Sequence, residues 1–124
     1  MAVRIVIEGE GCRLEAELLD GGAAAKVAER LPLEASMSRW GDEYYGSVDL
    51  DIPEDSTARE LMTVGEIAWW PPGRALCIFF GRTPASSDEQ PRAASPVLPV
   101  GKVTDGLAGL KGLGRRVRLT FRSA

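Results

Sequence analysis

The sequence contains no histidine. That removes Ser–His and Cys–His dyads, and it removes the side chain that most often ligates transition metals. Cysteine is almost as scarce. Cys12 and Cys77 stand far apart, each inside an alternating apolar run. Two such residues make neither a structural zinc site nor a disulfide framework, and free thiols packed in strands suit a reducing cytosol. No apolar run approaches the length of a bilayer span. Val3, Ile5 and Ile7 begin a strand almost at once, with no charged leader before them, so a cytoplasmic protein is expected. The net charge of −3 is too mild to point to nucleic acid or an anionic membrane. The halves differ, with 14 acids against 6 bases in residues 1–62 and 4 against 9 in residues 63–124. In one small domain such halves interleave, which reads as internal charge complementarity on a solvated surface. The arginines around the last strand form a stripe without interleaved aromatics, and a solvated outer face accounts for them.

What is present suffices for one core. A chain of 124 residues, 44% apolar, is the size of a single domain, expected here over residues 1–124. Val3, Ile5 and Ile7 alternate with polar residues, and Gly9-Glu10-Gly11 forms a turn. Cys12, Leu14, Ala16 and Leu18 then alternate again, so the pair reads as an antiparallel hairpin. The period changes after Asp20, a candidate N-cap. Ala24, Val27, Ala28 and Leu31 make an apolar helical stripe stopped by Pro32. Leu33 to Trp40 returns to alternation, with Leu33, Ala35 and Met37 on one face. Gly41-Asp42-Glu43 is a turn, and Tyr44 to Ile52 a further strand. Ser56 to Leu61 is too short to assign. Val64 to Trp70 and Ala75 to Phe80 form the clearest hairpin, joined by Pro71-Pro72-Gly73-Arg74. Residues 85–96, rich in Pro, Ser and Ala, read as an exposed, mobile loop. Val97 to Val103 is a strand, Leu107, Leu110 and Leu113 mark a short glycine-weakened helix, and Val117, Leu119 and Phe121 alternate in a last strand. Many short strands with two small helices predict a mainly β protein, a closed or nearly closed barrel capped by those helices.

Two segments could carry chemistry. The Val64–Pro84 hairpin holds Trp69, Trp70, Phe79 and Phe80. Adjacent strand residues point to opposite faces, so one member of each pair must lie outside the barrel core. It would then sit in a cleft, under a loop, at an interface or in solvent. The second segment, Ser38 to Tyr45, packs an arginine, two carboxylates and three aromatics around a turn. Arg39 shares the parity of Leu33, Ala35 and Met37, so its stem points to the barrel interior or rim. An inward arginine needs a partner, for which Asp42 or Glu43 is at hand. The same two carboxylates could form an acid–base pair. The acidic run Asp49, Asp51, Glu54 and Asp55 lacks the ligand spacing of a calcium loop and reads as solvated.

Trp40-Gly41-Asp42-Glu43-x-Tyr45, followed by Val64-Gly65-Glu66-Ile67-Ala68-x-Trp70-Pro71-Pro72-Gly73-x-Ala75-Leu76-Cys77-Ile78-Phe79-Phe80-Gly81-x-Thr83-Pro84, resembles the small prokaryotic cyclophilin-like proteins. Ser95-Pro96-Val97 and Val100-Gly101-Lys102-Val103 fit the same pattern. The resemblance implies a closed eight-stranded β-barrel with a short helix at each end. It places Arg39 where cyclophilins carry the arginine that hydrogen-bonds near a prolyl nitrogen, and Phe79 or Phe80 near their pocket phenylalanine. The active-site histidine of cyclophilins has no counterpart, and residues 85–96 do not supply their loop tryptophan.

The expected site is therefore a groove beside the hairpin that takes a peptide or small molecule. Arg39 is the catalytic candidate, and Trp40, Asp42, Glu43, Tyr45, Trp70, Phe79, Phe80 and Thr83 are the ligand-binding candidates. Three readings stay open: a binding domain, a weak prolyl isomerase using Arg39 as donor, and another enzyme using Asp42 or Glu43 as acid or base. No metal, cofactor, nucleic acid or membrane is expected, and the chain is expected to be a monomer or homodimer.

Overall fold

The computed structural model describes residues 2–124. The first alternating runs pair as expected: β1 (Val3–Gly9) and β2 (Cys12–Leu18) are antiparallel from Val3↔Leu18 to Gly9↔Cys12. Glu10 and Gly11 between them both have positive φ, 53° and 76°, which a type I′ turn requires. The helix α1 (Gly22–Glu29) follows and buries Ala23, Ala24 and Val27. Its N-cap is Gly21 rather than the expected Asp20. The chain bends through positive φ at Gly21 and Gly22, so glycine freedom sets the helix start where a carboxylate cap was expected.

The remaining strands are β3 (Leu33–Arg39), β4 (Glu43–Ser47), β5 (Arg59–Leu61), β6 (Glu66–Trp70), β7 (Ala75–Phe79), β8 (Arg92–Asp105) and β9 (Arg116–Ser123). Neighbours run β2-β1-β9-β3-β4-β7-β6-β8, and β8 pairs back onto β2, which closes an antiparallel barrel of eight strands. The short β5 adds to the outer part of β8. Inward-facing Ile7, Leu14, Met37, Trp69, Leu76 and Phe121 fill the interior, each almost fully buried. The segment from Leu107 to Gly112 is a 3-10 turn, consistent with its glycines, and buries Leu110 against the same core. Among the described residues, no helix is long and apolar enough to cross a membrane.

Three further sequence expectations need correction. Sheet pairing of the strand expected over Tyr44 to Ile52 ends at Ser47↔Ala75. Leu50 and Ile52 still turn inward, and the Ile52 carbonyl accepts a 3.0 Å bond from Trp69 Nε1. Alternation there reports burial against the barrel, with no neighbouring strand to pair with. The strand expected from Val64 starts at Glu66, after Gly65 at a φ of 95°. Residues 85–96 are only partly a loop, because β8 begins at Arg92 and runs 14 residues. Its far half pairs with β6 and β2, while its first half reaches out as an arm held by β5.

That arm resolves the paired aromatics. Trp69 and Phe80 face the main core. Phe79, on the outer face of β7, is equally buried, in a second cluster with Met62, Ala68, Cys77, Ala93 and Val97. The cover foreseen for the outward aromatics is therefore β5 and the β8 arm. At typical transfer values a fully buried phenylalanine stabilises by about 2–3 kcal/mol, so this second cluster fastens the arm to the barrel wall.

Candidate functional site

The β3–β4 turn sorts the Ser38–Tyr45 segment into two faces. Trp40 and Glu43 exchange backbone hydrogen bonds of 2.8 and 3.2 Å across a two-residue loop, Gly41-Asp42. Gly41 sits at the first loop position with φ 62°, the type II′ geometry. A Cβ there would also meet Pro84 Cδ at 2.8 Å and the Arg82 carbonyl at 2.9 Å, so the loop needs glycine twice over. Register then places Arg39 opposite Tyr44. By alternation this pair looks toward the barrel interior, and Trp40, Glu43 and Tyr45 look outward.

On the interior side, Arg39 is committed. Its Nε donates to the Gly41 carbonyl at 2.9 Å, and Nη1 donates to the carbonyls of Lys111 (3.1 Å) and Leu113 (2.9 Å). Nη2 donates to Asp42 Oδ1 at 3.0 Å in an ion pair. The guanidinium carbon lies 5.0 Å from the Phe80 ring centroid and 5.8 Å from that of Tyr44, and these two rings stack at 5.6 Å. Four of the five guanidinium N–H groups are thus occupied within the chain. The arginine ties the Leu107–Gly112 turn to the hairpin.

On the outer side, Trp40, Glu43, Tyr45 and Trp70 line a half-open cleft of about 190 Å³, completed by Ala93, Ala94 and Val97 of the β8 arm. Tyr45 and Trp70 meet edge to face, with centroids 6.3 Å apart at 80°. Trp70 Nε1 donates to Ser95 Oγ at 2.7 Å, which fixes the ring to the arm. Its other side lies on the Pro71–Gly73 turn, where a Cβ on Gly73 would come within 2.5 Å of the ring. The β5–β8 register jumps between Arg59↔Val97 and Leu61↔Arg92, and Ala93 and Ala94 of the far wall lie within that bulge.

Glu43 is the chemically unusual member. Its residue is only 5% exposed, and Oε1 is buried with no hydrogen-bond partner among the described residues. Burial pushes its carboxyl up to about 8, and contact with the Cys77 thiol offsets part of that rise. Cys77, itself fully buried, is pushed well above the usual thiol range by burial and then by the neighbouring carboxyl. Glu66, at the start of β6, shows the ordinary solution. Burial raises its carboxyl, but a two-pronged pair with Arg59 (2.6 and 3.1 Å) and bonds from Thr63 outweigh that and lower it. Burial thus favours the protonated form of Glu43, while the ion pair favours the ionised form of Glu66.

The structure therefore brings together Trp40, Glu43, Tyr45 and Trp70, and sets Arg39, Asp42 and Phe80 apart from them. Phe79 lies beneath the cleft in the second cluster, outside its lining. Thr83 is also buried; its Oγ1 donates to the Arg92 carbonyl and accepts from the Ala85 amide, pinning the loop before β8. Sequence reasoning missed the arm wall, Ala93, Ala94 and Val97. Proline and small residues there mask the strand, and only the buried Ala93 and Val97 carry its apolar signal. Among the described residues no group of His, Cys, Asp and Glu could hold a metal ion.

A family profile described as "Cyclophilin-like" matches residues 1–122. The solution structure of a hypothetical protein from Archaeoglobus fulgidus is 32% identical, with a TM-score of 0.82 over 99% of this chain and 95% of that one. No curated protein matches the chain.

Proposed function

This chain belongs to the cyclophilin-like family, and we propose that it is a binding domain holding a small molecule or a peptide side chain in the Glu43 cleft. One observation carries this reading: the partly open, aromatic-walled cleft is lined by Glu43, whose carboxyl keeps one buried oxygen without a partner among the described residues. A buried polar atom left unpaired costs about 1–3 kcal/mol, a penalty that a bound ligand group could relieve. The volume, about 190 Å³, suits a single ring or compact head group more than a whole peptide, by comparison with a ~150 Å³ cavity that holds benzene.

The prolyl isomerase reading has thinner support. It needs an arginine free to donate toward a prolyl nitrogen, and Arg39 spends four donors on Gly41, Lys111, Leu113 and Asp42. Amide correlation spectra recorded with a fragment set test the binding reading. The indole signals of Trp40 and Trp70 should shift and that of the buried Trp69 should not. A set that moves neither indole overturns the reading. An Xaa-Pro isomerisation assay should show no acceleration at high protein concentration; acceleration abolished in a folded Arg39→Ala would replace binding with isomerisation.

A further inference from the structure

The cleft's chemistry is more specific than its shape. Its walls include three aromatic rings, two of them set nearly perpendicular, and apart from Glu43 the remaining lining is alanine and valine. No basic side chain lines it among the described residues. Among the described residues the one carboxyl in the lining has a buried oxygen with no partner, at the turn where β3 and β4 meet. Aromatic faces attract cations through their quadrupole, and they do so best for poorly hydrated, alkylated ammonium groups. A neutral apolar ligand would leave the carboxyl unpaired. A bare metal ion would find one carboxylate, too few oxygens for either calcium or magnesium.

We propose that the cleft takes an alkylated ammonium head group, with Trp40, Tyr45 and Trp70 as its walls and Glu43 as its counter-ion. The inference rests on the cleft being the binding site. The charged groups around Glu43 are otherwise engaged. Arg39 and Asp42 pair with each other on the interior side of the hairpin, and Arg92 of the arm pairs with Glu60. From β7 the titratable neighbour is the Cys77 thiol, and Tyr45 lies beside it on β4. Binding of the cation ionises Glu43 and expels one proton to solvent. With the free carboxyl near 8, affinity rises about tenfold from pH 7 to pH 9 and then levels.

Choline and its uncharged isostere 3,3-dimethylbutan-1-ol provide the test, titrated against the whole chain with Trp40 and Trp70 indole shifts as readout. Choline is expected to bind at least tenfold more tightly, with the pH dependence above. Glu43→Gln should reduce that preference to the share the rings supply and abolish the pH dependence, while retaining the alcohol. Trp70→Phe keeps an aromatic wall and should weaken choline less than Trp70→Ala. Equal affinity for the two isosteres would overturn the cation assignment and leave the cleft as a neutral binding site. If neither compound moves the indoles while another fragment does, the cation assignment fails and the binding reading stands. If no fragment moves them, both fail.

Discussion

Arg39 and Glu43 occupy the two sides of one tight hairpin. Arg39 has four intramolecular hydrogen bonds and two aromatic faces against it. Glu43 is more deeply buried, and one of its oxygens has no partner. The arginine had the stronger case by family resemblance, yet its surroundings explain it fully as a fastening between the hairpin and the Leu107–Gly112 turn. The carboxyl had only its place in a turn to recommend it, and intramolecular structure does not account for it. A buried polar group that the fold leaves unsatisfied is the better pointer to a ligand than a charged residue whose bonds are complete.

The largest effect that can break this comparison is the pH dependence of stability. The Glu43 carboxyl lies near 4.5 when unfolded and about 8 when folded. A raised folded value means its stabilising contribution is complete below about pH 4.5 and is lost as pH rises through 8. The slope is about 1.4 kcal/mol per pH unit, on the order of 5 kcal/mol in all. Denaturant midpoints from pH 4 to 9 should show that decline, and Glu43→Gln should flatten it. A wild-type profile already flat in this range would mean that Glu43 is ionised and partnered. Glu66, whose carboxyl is lowered, runs with the opposite sign, and its contribution fades only as pH falls through the carboxylate range.

Next in size is the fastening itself. Arg39→Ala strands Asp42 and three carbonyls and should cost about 2–3 kcal/mol in chemical denaturation. Arg39→Lys should recover little, because an ammonium cannot reproduce the fork that reaches Gly41, Lys111, Leu113 and Asp42 together. Neither variant should shift the Trp40 and Trp70 indole signals beyond small changes. A large change in ligand affinity for folded Arg39→Lys would join the two faces into one site.

Trp70→Ala removes the bond to Ser95, the contact with Tyr45 and the near wall of the cleft, and should cost about 2 kcal/mol. Faster amide exchange at Ala93 and Val97 would show the arm loosening. The smallest change concerns Cys77. Cys77→Ser puts a stronger hydrogen-bond donor against Glu43 and should move its carboxyl below 8, with a stability change of about 1 kcal/mol or less. Carbon chemical shifts of the Glu43 carboxyl followed through a titration measure this directly. No movement would place Cys77 out of hydrogen-bonding reach of the carboxyl.

Much of the fold was legible because strand alternation and turn chemistry are local. The Val3–Leu18 hairpin, the inward set Leu33, Ala35 and Met37, and the Trp70–Ala75 connection follow from period and turn residues alone. The candidate site was legible in membership and not in arrangement. Residue type points to Trp40, Glu43, Tyr45 and Trp70, but it points equally to Arg39, Asp42 and Phe80, which lie apart from them. Parity could have separated them. A two-residue turn at Gly41-Asp42 puts Trp40 opposite Glu43, and hence Arg39 opposite Tyr44, on the other face. Reading Glu43 as part of the turn hid that register.

The sequence by itself determined the barrel, the family and the aromatic composition of the cleft, because each depends on residue type at short spacing. Tertiary structure alone decided that the cleft has a far wall. Ala93 and Val97 become buried only because β5 and the outer face of β7 lie across from them, distant in the chain. It also decided which of two nearby charges would be answered. A carboxyl's ionisation depends on how much water and how many donors the whole fold leaves around it. For Arg39 the fold supplies carbonyls from a turn some seventy residues away, and for one oxygen of Glu43 it supplies no partner.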